Sequence, residues 1–159
     1  MSNQDQHWPR WIKSSIAKHF KANRQSIHLY VEGFERDTKD KREWFELRVD
    51  GPFTTELDKG TFRLDVEINV LVCLTTDTSN AYRMEDLTGI VNRAFILHIP
   101  IYKLGPSSDA ANDGTLLGYL TQRKGDKERA VVSNFGKVRV DTMMEQSSVE
   151  MHYRMYLDT

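Results

Sequence analysis

The residues best suited to metal or nucleophilic chemistry are five histidines, at positions 7, 19, 28, 98 and 152, and a single cysteine, Cys73. The histidines show no metal-ligand spacing, and there is no H-E-x-x-H, no G-x-S-x-G, no P-loop and no G-x-G-x-x-G. Cys73 has no local partner that would make it a reactive thiolate, so a packed thiol is its default reading. His28 and His152 fall on the polar phase of two separate strands. They meet, beside Glu67 or Glu150, only if those strands are neighbours, and exposed sheet histidines are the plainer reading. Carboxylates are plentiful on the same phases (Glu46, Asp65, Glu67, Glu150), but Arg48, Arg63 and Arg154 alternate with them. Acid–base pairs need carboxylates in unequal environments, and alternating signs fit a solvated face or a subunit contact better. No residue is therefore assigned to catalysis, to a cofactor or to a metal, and the chain does not read as an enzyme.

The element that must position these side chains is Phe62 to Leu74. Every even residue is apolar: Phe62, Leu64, Val66, Ile68, Val70, Val72 and Leu74. The odd residues begin as Arg63, Asp65, Glu67 and Asn69, then become apolar at Leu71 and Cys73. A period of two sends successive side chains to opposite faces of a strand, whereas a helix would scatter the even residues around its circumference. One face is thus apolar throughout. The other is charged for its first half and covered for its second. At about 3.3 Å per residue the strand spans roughly 40 Å, more than twice the usual length, and a strand that long commonly bends or leaves its sheet to become an arm.

The rest of the chain fits around that strand. With 159 residues, 22 basic and 23 acidic side chains and a formal net charge of -1, this is one wet-surfaced domain with no global pull on nucleic acid or membrane. One cysteine excludes an intramolecular disulfide. The first residues lack the apolar core of a secretory signal and no run approaches a membrane span, so a cytosolic folding environment is expected. Trp8-Pro9 opens a helix to about Asn23, with Trp11, Ile12, Ile16 and Phe20 on its apolar side and the tryptophans read as packing residues. Strands follow at 27–33 and 43–50, with a charged loop between them in which eight of ten residues from Phe34 to Glu43 are ionic. Asp50-Gly51-Pro52 and Asp58-Lys59-Gly60 read as turns. A second helix is expected over 82–97, ended by Pro100, with Gly89 set for close packing on the sheet. Short strands follow near 99–104 and at 116–122, around the loop Gly105–Gly114. β-branched runs stand at Val131-Val132 and Val138–Val140, and a final strand covers 149–157. The class is α+β: a mostly antiparallel sheet with one long strand (62–74) packed against helices 9–23 and 82–97, the strands before the second helix pairing antiparallel.

The order and phrasing of these pieces resemble a known family. They are W-P-R-W-I-K-S-S-I-A-K-H-F at the start, E-L-R-V-D-G-P at 46–52 and the long F-R-L-D-V-E-I-N-V-L-V strand. G-I-V-N-R-A-F at 89–95, L-L-G-Y-L at 116–120 and S-V-E-M-H-Y-R-M-Y-L at 148–157 complete the set. The chain resembles a tail-terminator (tail-completion) protein of a tailed bacteriophage, over most of its length and in layout rather than in any short motif.

The resemblance implies a hexameric ring that caps the tail tube, ends its polymerisation and presents a surface to the head-side neck. The implied partners are further copies of the chain, the tail tube protein and a neck or connector protein. No membrane, sequence-specific nucleic acid or cofactor is implied, and the implied location is the head-proximal end of the virion tail, after assembly in the host cytoplasm. The interface candidates are Arg36, Lys39, Lys41 and Arg42 in the charged loop, Ser107, Asp109 and Asp113 in the loop 105–114, and Arg63, Asp65 and Glu67 on the polar strand face. Another phage neck, connector or baseplate ring, a monomeric host-directed interaction protein, and a small α+β enzyme or ligand-binding domain with a pocket between the second helix and the sheet are the competing readings. Reversing the charges of Asp65 and Glu67 is expected to weaken assembly, measured as a fall in solution mass.

Overall fold

The computed structural model describes residues 5–32, 41–75, 82–95, 98–106, 108–123, 131–137 and 144–158. A short 3-10 turn leads into helix α1 (Trp8–Asn23), followed by strands β1 (His28–Val31), β2 (Glu43–Asp58) and β3 (Thr61–Thr75). Helix α2 (Arg83–Ala94) precedes β4 (His98–Tyr102), β5 (Leu116–Gln122), β6 (Val131–Lys137) and β7 (Met144–Asp158). The strands form one sheet in the order β1-β2-β3-β7-β5-β4, with β6 also on β7. The fold is α+β with a mostly antiparallel sheet, as the periodicities require.

β3 lies at the centre and pairs with β7 from Thr61↔Asp158 to Thr75↔Met144 without a register shift. Leu64, Val66, Ile68, Val70 and Val72 are all buried on its apolar face, in one core with Trp11, Ile12, Ile16 and Phe20 of α1 and Met84, Leu87 and Val91 of α2. Both helices therefore cover the same face. Phe20 sits between Phe45 and Phe95, with ring centroids 5.3 and 4.9 Å away. The carbonyls at the C-terminal end of α2, which a helix cannot satisfy internally, are met from two other elements. The Tyr153 hydroxyl of β7 donates to the Phe95 carbonyl, and His19 Nε2 of α1 donates to the Ala94 carbonyl at 2.6 Å. Burial pushes the Tyr153 phenol far above its ordinary pKa, so it stays a donor.

Several expectations need correction. β1 and β2 are parallel, with His28 opposite Trp44 and Val31 opposite Leu47. The eleven residues between the two strands are long enough to carry the chain back to the end it left. Asp50-Gly51-Pro52 is not a turn. β2 runs through it, and the register slips between Asp50 and Phe53 as a bulge. Gly51 has φ +102, and a Cβ there would lie 2.9 Å from the Asp65 carbonyl oxygen, so glycine is what the bulge admits. The hairpin turn comes later, at Lys59-Gly60, where Asp58 pairs with Thr61.

Helix α2 stops at Ala94, before Pro100, and Pro100 stands inside β4 opposite Tyr119. That strand is at the sheet edge, where a missing N–H is tolerated. β7 begins at Met144, earlier than the alternation at 149 suggested. The β-branched run 138–140 and the polar segment 124–130 lie outside the described residues. The expectation for Gly89 fails outright: it is exposed, and a Cβ there meets nothing within 4 Å.

Two consequences are measurable by urea denaturation. Gly89→Ala should stabilise the fold by about 0.5–1 kcal/mol, because alanine loses less backbone entropy in a helix and has open space here. Phe20→Ala should destabilise it by about 3–5 kcal/mol, since it empties the space between two aromatic rings.

Candidate functional site

The face of the sheet away from the helices carries the candidate strand residues. Registers place Asp50, Glu67 and His152 in one row, and Phe53, Asp65, Arg154 and Thr121 in the next. Arg63 and Tyr156 pair one step further on, opposite Thr55. Asp65 joins two arginines: Arg63 Nε donates to one carboxylate oxygen at 3.0 Å and Arg154 Nε to the other at 2.8 Å. All three are partly covered, with side chains 21–31% exposed. The hydrogen bond to Asp65 is also the main cause holding Arg154 above the ordinary guanidinium pKa. Two strands, β3 and β7, are thus clamped by one carboxylate within the chain.

Glu67 differs from Asp65. It is exposed, and its nearest ionic contact is His152 Nδ1 at 3.7 Å, while His152 Nε2 lies 3.1 Å from Glu150. The conditional meeting of His28 and His152 beside Glu67 or Glu150 does not occur, though His152 alone stands beside both carboxylates. His28 does not join them, because β2 and β3 separate β1 from β7. Cys73 is fully buried, with Gln146 Nε2 donating to its sulfur at 3.6 Å, which agrees with a packed thiol. Among the described residues no group of three or more histidine, cysteine or carboxylate side chains is arranged to hold a metal ion.

The loop candidates fall into two sets. Arg36, Lys39 and Ser107 lie outside the described residues. Lys41 and Arg42 stand just before β2, where the Arg42 carbonyl accepts the Thr75 N–H at 2.8 Å and so ties the loop's end to β3. Asp109 and Asp113 shape their own loop: Asp109 accepts the Ala111 N–H and Asp113 the Thr115 N–H, each at 3.0 Å. The hydrogen bonds from Thr115 hold the Asp113 carboxyl below its ordinary pKa. This loop is also docked on α1, where Trp11 Nε1 donates to Asn112 Oδ1 at 2.9 Å and Lys103 lies over the Trp11 ring at 5.5 Å.

Sequence reasoning missed two features. One is the part β2 plays in an arm, which the length of the strand 62–74 alone had suggested. Residues 53–58 of β2 are all exposed and lie along β3 from Thr61, while Leu64 of β3 and Met155 of β7 beside them stay in the core. Phe53 and Leu57 on the arm are each half exposed, and Tyr156 of β7 is 57% exposed. The unbroken strand through Gly51-Pro52 is what extends it, and reading those residues as a turn concealed it. The other is a cleft of about 560 Å³ between α1 and the β1–β2 edge. Ala17, Val31, Leu47 and Val49 make its apolar surface, with Lys13, Ser14, Glu32 and Asp50 around them. It lies beside α1, not between the second helix and the sheet, where the competing ligand-binding reading would put a pocket.

No helix among the described residues is long and apolar enough to cross a membrane. No family profile matches the chain, and no curated protein does. A solved structure whose title states no function aligns over 100% of this chain and 97% of its own, at 11% identity and a TM-score of 0.44, a likeness too weak to bear on fold or function.

Asp65→Asn keeps the shape of the clamp and removes its charge. It should cost about 1–2 kcal/mol, between an exposed ion pair and a hydrogen bond to a charged group. The check is a lower urea midpoint with an unchanged denaturant slope. Asp65 therefore reports on stability, and Glu67 is the cleaner probe of assembly.

Proposed function

We propose that the chain is a structural ring subunit of a tailed-bacteriophage tail, of the tail-terminator kind. Its copies form a ring, taken as a hexamer, that caps the tail tube, ends its polymerisation and meets the neck on the head side. The observation that carries this reading is the arm. A small domain gains little from sixteen- and fifteen-residue strands whose shared end leaves residues 53–58 exposed, with Phe53, Leu57 and Tyr156 among the exposed large apolar side chains. Such a projection suits contact with a neighbouring chain, because exposed aromatic and aliphatic side chains are stabilised when a partner covers them. Glu67 and the segments around Lys41–Arg42 and Asp109–Asp113 are the proposed places where ring, tube and neck meet.

Light scattering with negative-stain images of the same sample tests the ring directly. A closed particle of about six copies is the expected result, that being the number implied by the resemblance. Glu67→Lys should lower the assembled fraction without lowering the urea midpoint. A chain that remains monomeric and also fails to join purified tube-terminated tails overturns the proposal.

A further inference from the structure

Helix α1 is charged in one sign only. It carries Arg10, Lys13, Lys18 and Lys21 and no carboxylate, and Arg24 follows as its C-cap. The whole chain has a formal net charge of -1, so positive charge is gathered on this helix and negative charge lies elsewhere. At about 3.6 residues per turn, Trp11, Ile12, Ser15, Ile16 and Phe20 form the buried side. The four cations fall on the side turned away from the core, and all four are exposed. Arg10 to Lys21 spans roughly 16 Å of helix axis.

This arrangement works against the helix that carries it. Lys21 in the last turn and Arg24 at the C-cap stand where the helix dipole favours a cation, but Arg10 stands in the first turn and opposes it. Arg10 and Lys13, and again Lys18 and Lys21, are like charges three residues apart, a spacing at which like signs repel and opposite signs would support the helix. Among the described residues no carboxylate stands within ion-pair distance of the four. Glu32 and Asp50 share the cleft beside α1 with Lys13, but Arg48 already lies 3.9 and 3.2 Å from them. Asp109, at the other end of the helix, faces His7. The missing counter-charge has to come from outside the domain.

The rest of the face selects among anions. The apolar side of α1 is buried in the core and only Ser14, Ala17 and Ala22 accompany the cations, so nothing is left to insert into a lipid surface. No aromatic residue of α1 shares the face, and the Tyr102 ring nearby lies under the Lys18 ammonium at 5.2 Å, so there is no platform for unpaired bases. Three of the four cations are lysines, mobile point charges, whereas fixed carboxylates on a folded partner are better met by the planar fork of arginine. A duplex backbone carries about one charge per 1.7 Å of axis, so the length of this face can meet more phosphates than it has cations.

We infer that the outer face of α1 binds the phosphate backbone of a nucleic-acid duplex without reading its sequence, through Arg10, Lys13, Lys18 and Lys21. The inference is independent of the ring reading, since it uses no contact between copies.

Fluorescence anisotropy with two labelled duplexes of unrelated sequence tests it. Both should bind alike, with a dissociation constant on the order of 10⁻⁵ M near physiological salt, and log K should fall against log salt with a slope of about -3 to -4 for each bound chain. Lys13→Gln and Lys21→Gln should each weaken binding about fivefold or more at about 0.1 M salt and reduce the slope by about one, and together by about two. Glutamine suits a helix as well as lysine does, and circular dichroism and the urea midpoint check that the fold is kept. Lys59→Gln removes the same charge at the end of the hairpin and should change neither affinity nor slope. No duplex binding at about 50 mM salt, a strong preference for one sequence, a double variant that binds like the unaltered chain, or a Lys59→Gln loss equal to that of Lys13→Gln overturns the inference. Tighter binding to polyglutamate or to anionic vesicles than to the duplex also overturns it, and assigns the face to an acidic protein or a lipid surface instead.

Discussion

The fold depends on one constraint, the unslipped pairing of β3 with β7. Fifteen residues of each strand are matched in sequence, with β2 laid along the opposite edge of β3. A slip of one residue would turn Leu64, Val66, Ile68, Val70 and Val72 out of the core and bring Asp65 and Glu67 in, so the pattern of burial itself fixes the register. The Asp65 clamp reinforces it, because its carboxylate reaches Arg63 on its own strand and Arg154 directly across. Everything else is placed relative to that ladder.

The helices are held to it by polar contacts as well as by packing. The last turn of α2 receives one donor from the sheet and one from α1, through Tyr153 and His19. At the other end of α2, Arg83 grips Glu43 at the start of β2 with two hydrogen bonds, Nε at 2.7 Å and Nη2 at 2.5 Å. That bond pattern is the main cause raising the Arg83 pKa. A helix fixed at both ends presents one side to the core, and the opposite sheet face is left uncovered over its charged half.

How much of this was legible depended on how local the signal was. The alternation in β3, the apolar stripe of α1 and the Lys59-Gly60 turn are written in neighbouring residues, and each was read correctly. The shared place of His152, Glu67 and Glu150 was legible only as a condition on strand order. Gly51-Pro52 misled because glycine beside proline signals a turn when nothing long-range opposes it. Here Asp65, fourteen residues later, supplies the backbone against which the bulge is built. The parallel pairing of β1 and the cleft beside α1 have no signature in sequence spacing, because they arise from where distant segments come to rest. Gly89 was judged from its cost to the helix alone, and the geometry shows no packing benefit behind that cost.

β5 and β6 pair with the same edge of β7 in the same direction, Gln122 opposite Tyr153 and Val131 opposite Glu150, with the Arg123 N–H bonded to the His152 carbonyl between them. They are two halves of a single row, each pinned by β7 rather than by the other, so the ladder itself and not the chain between them fixes how Gln122 and Val131 stand to one another.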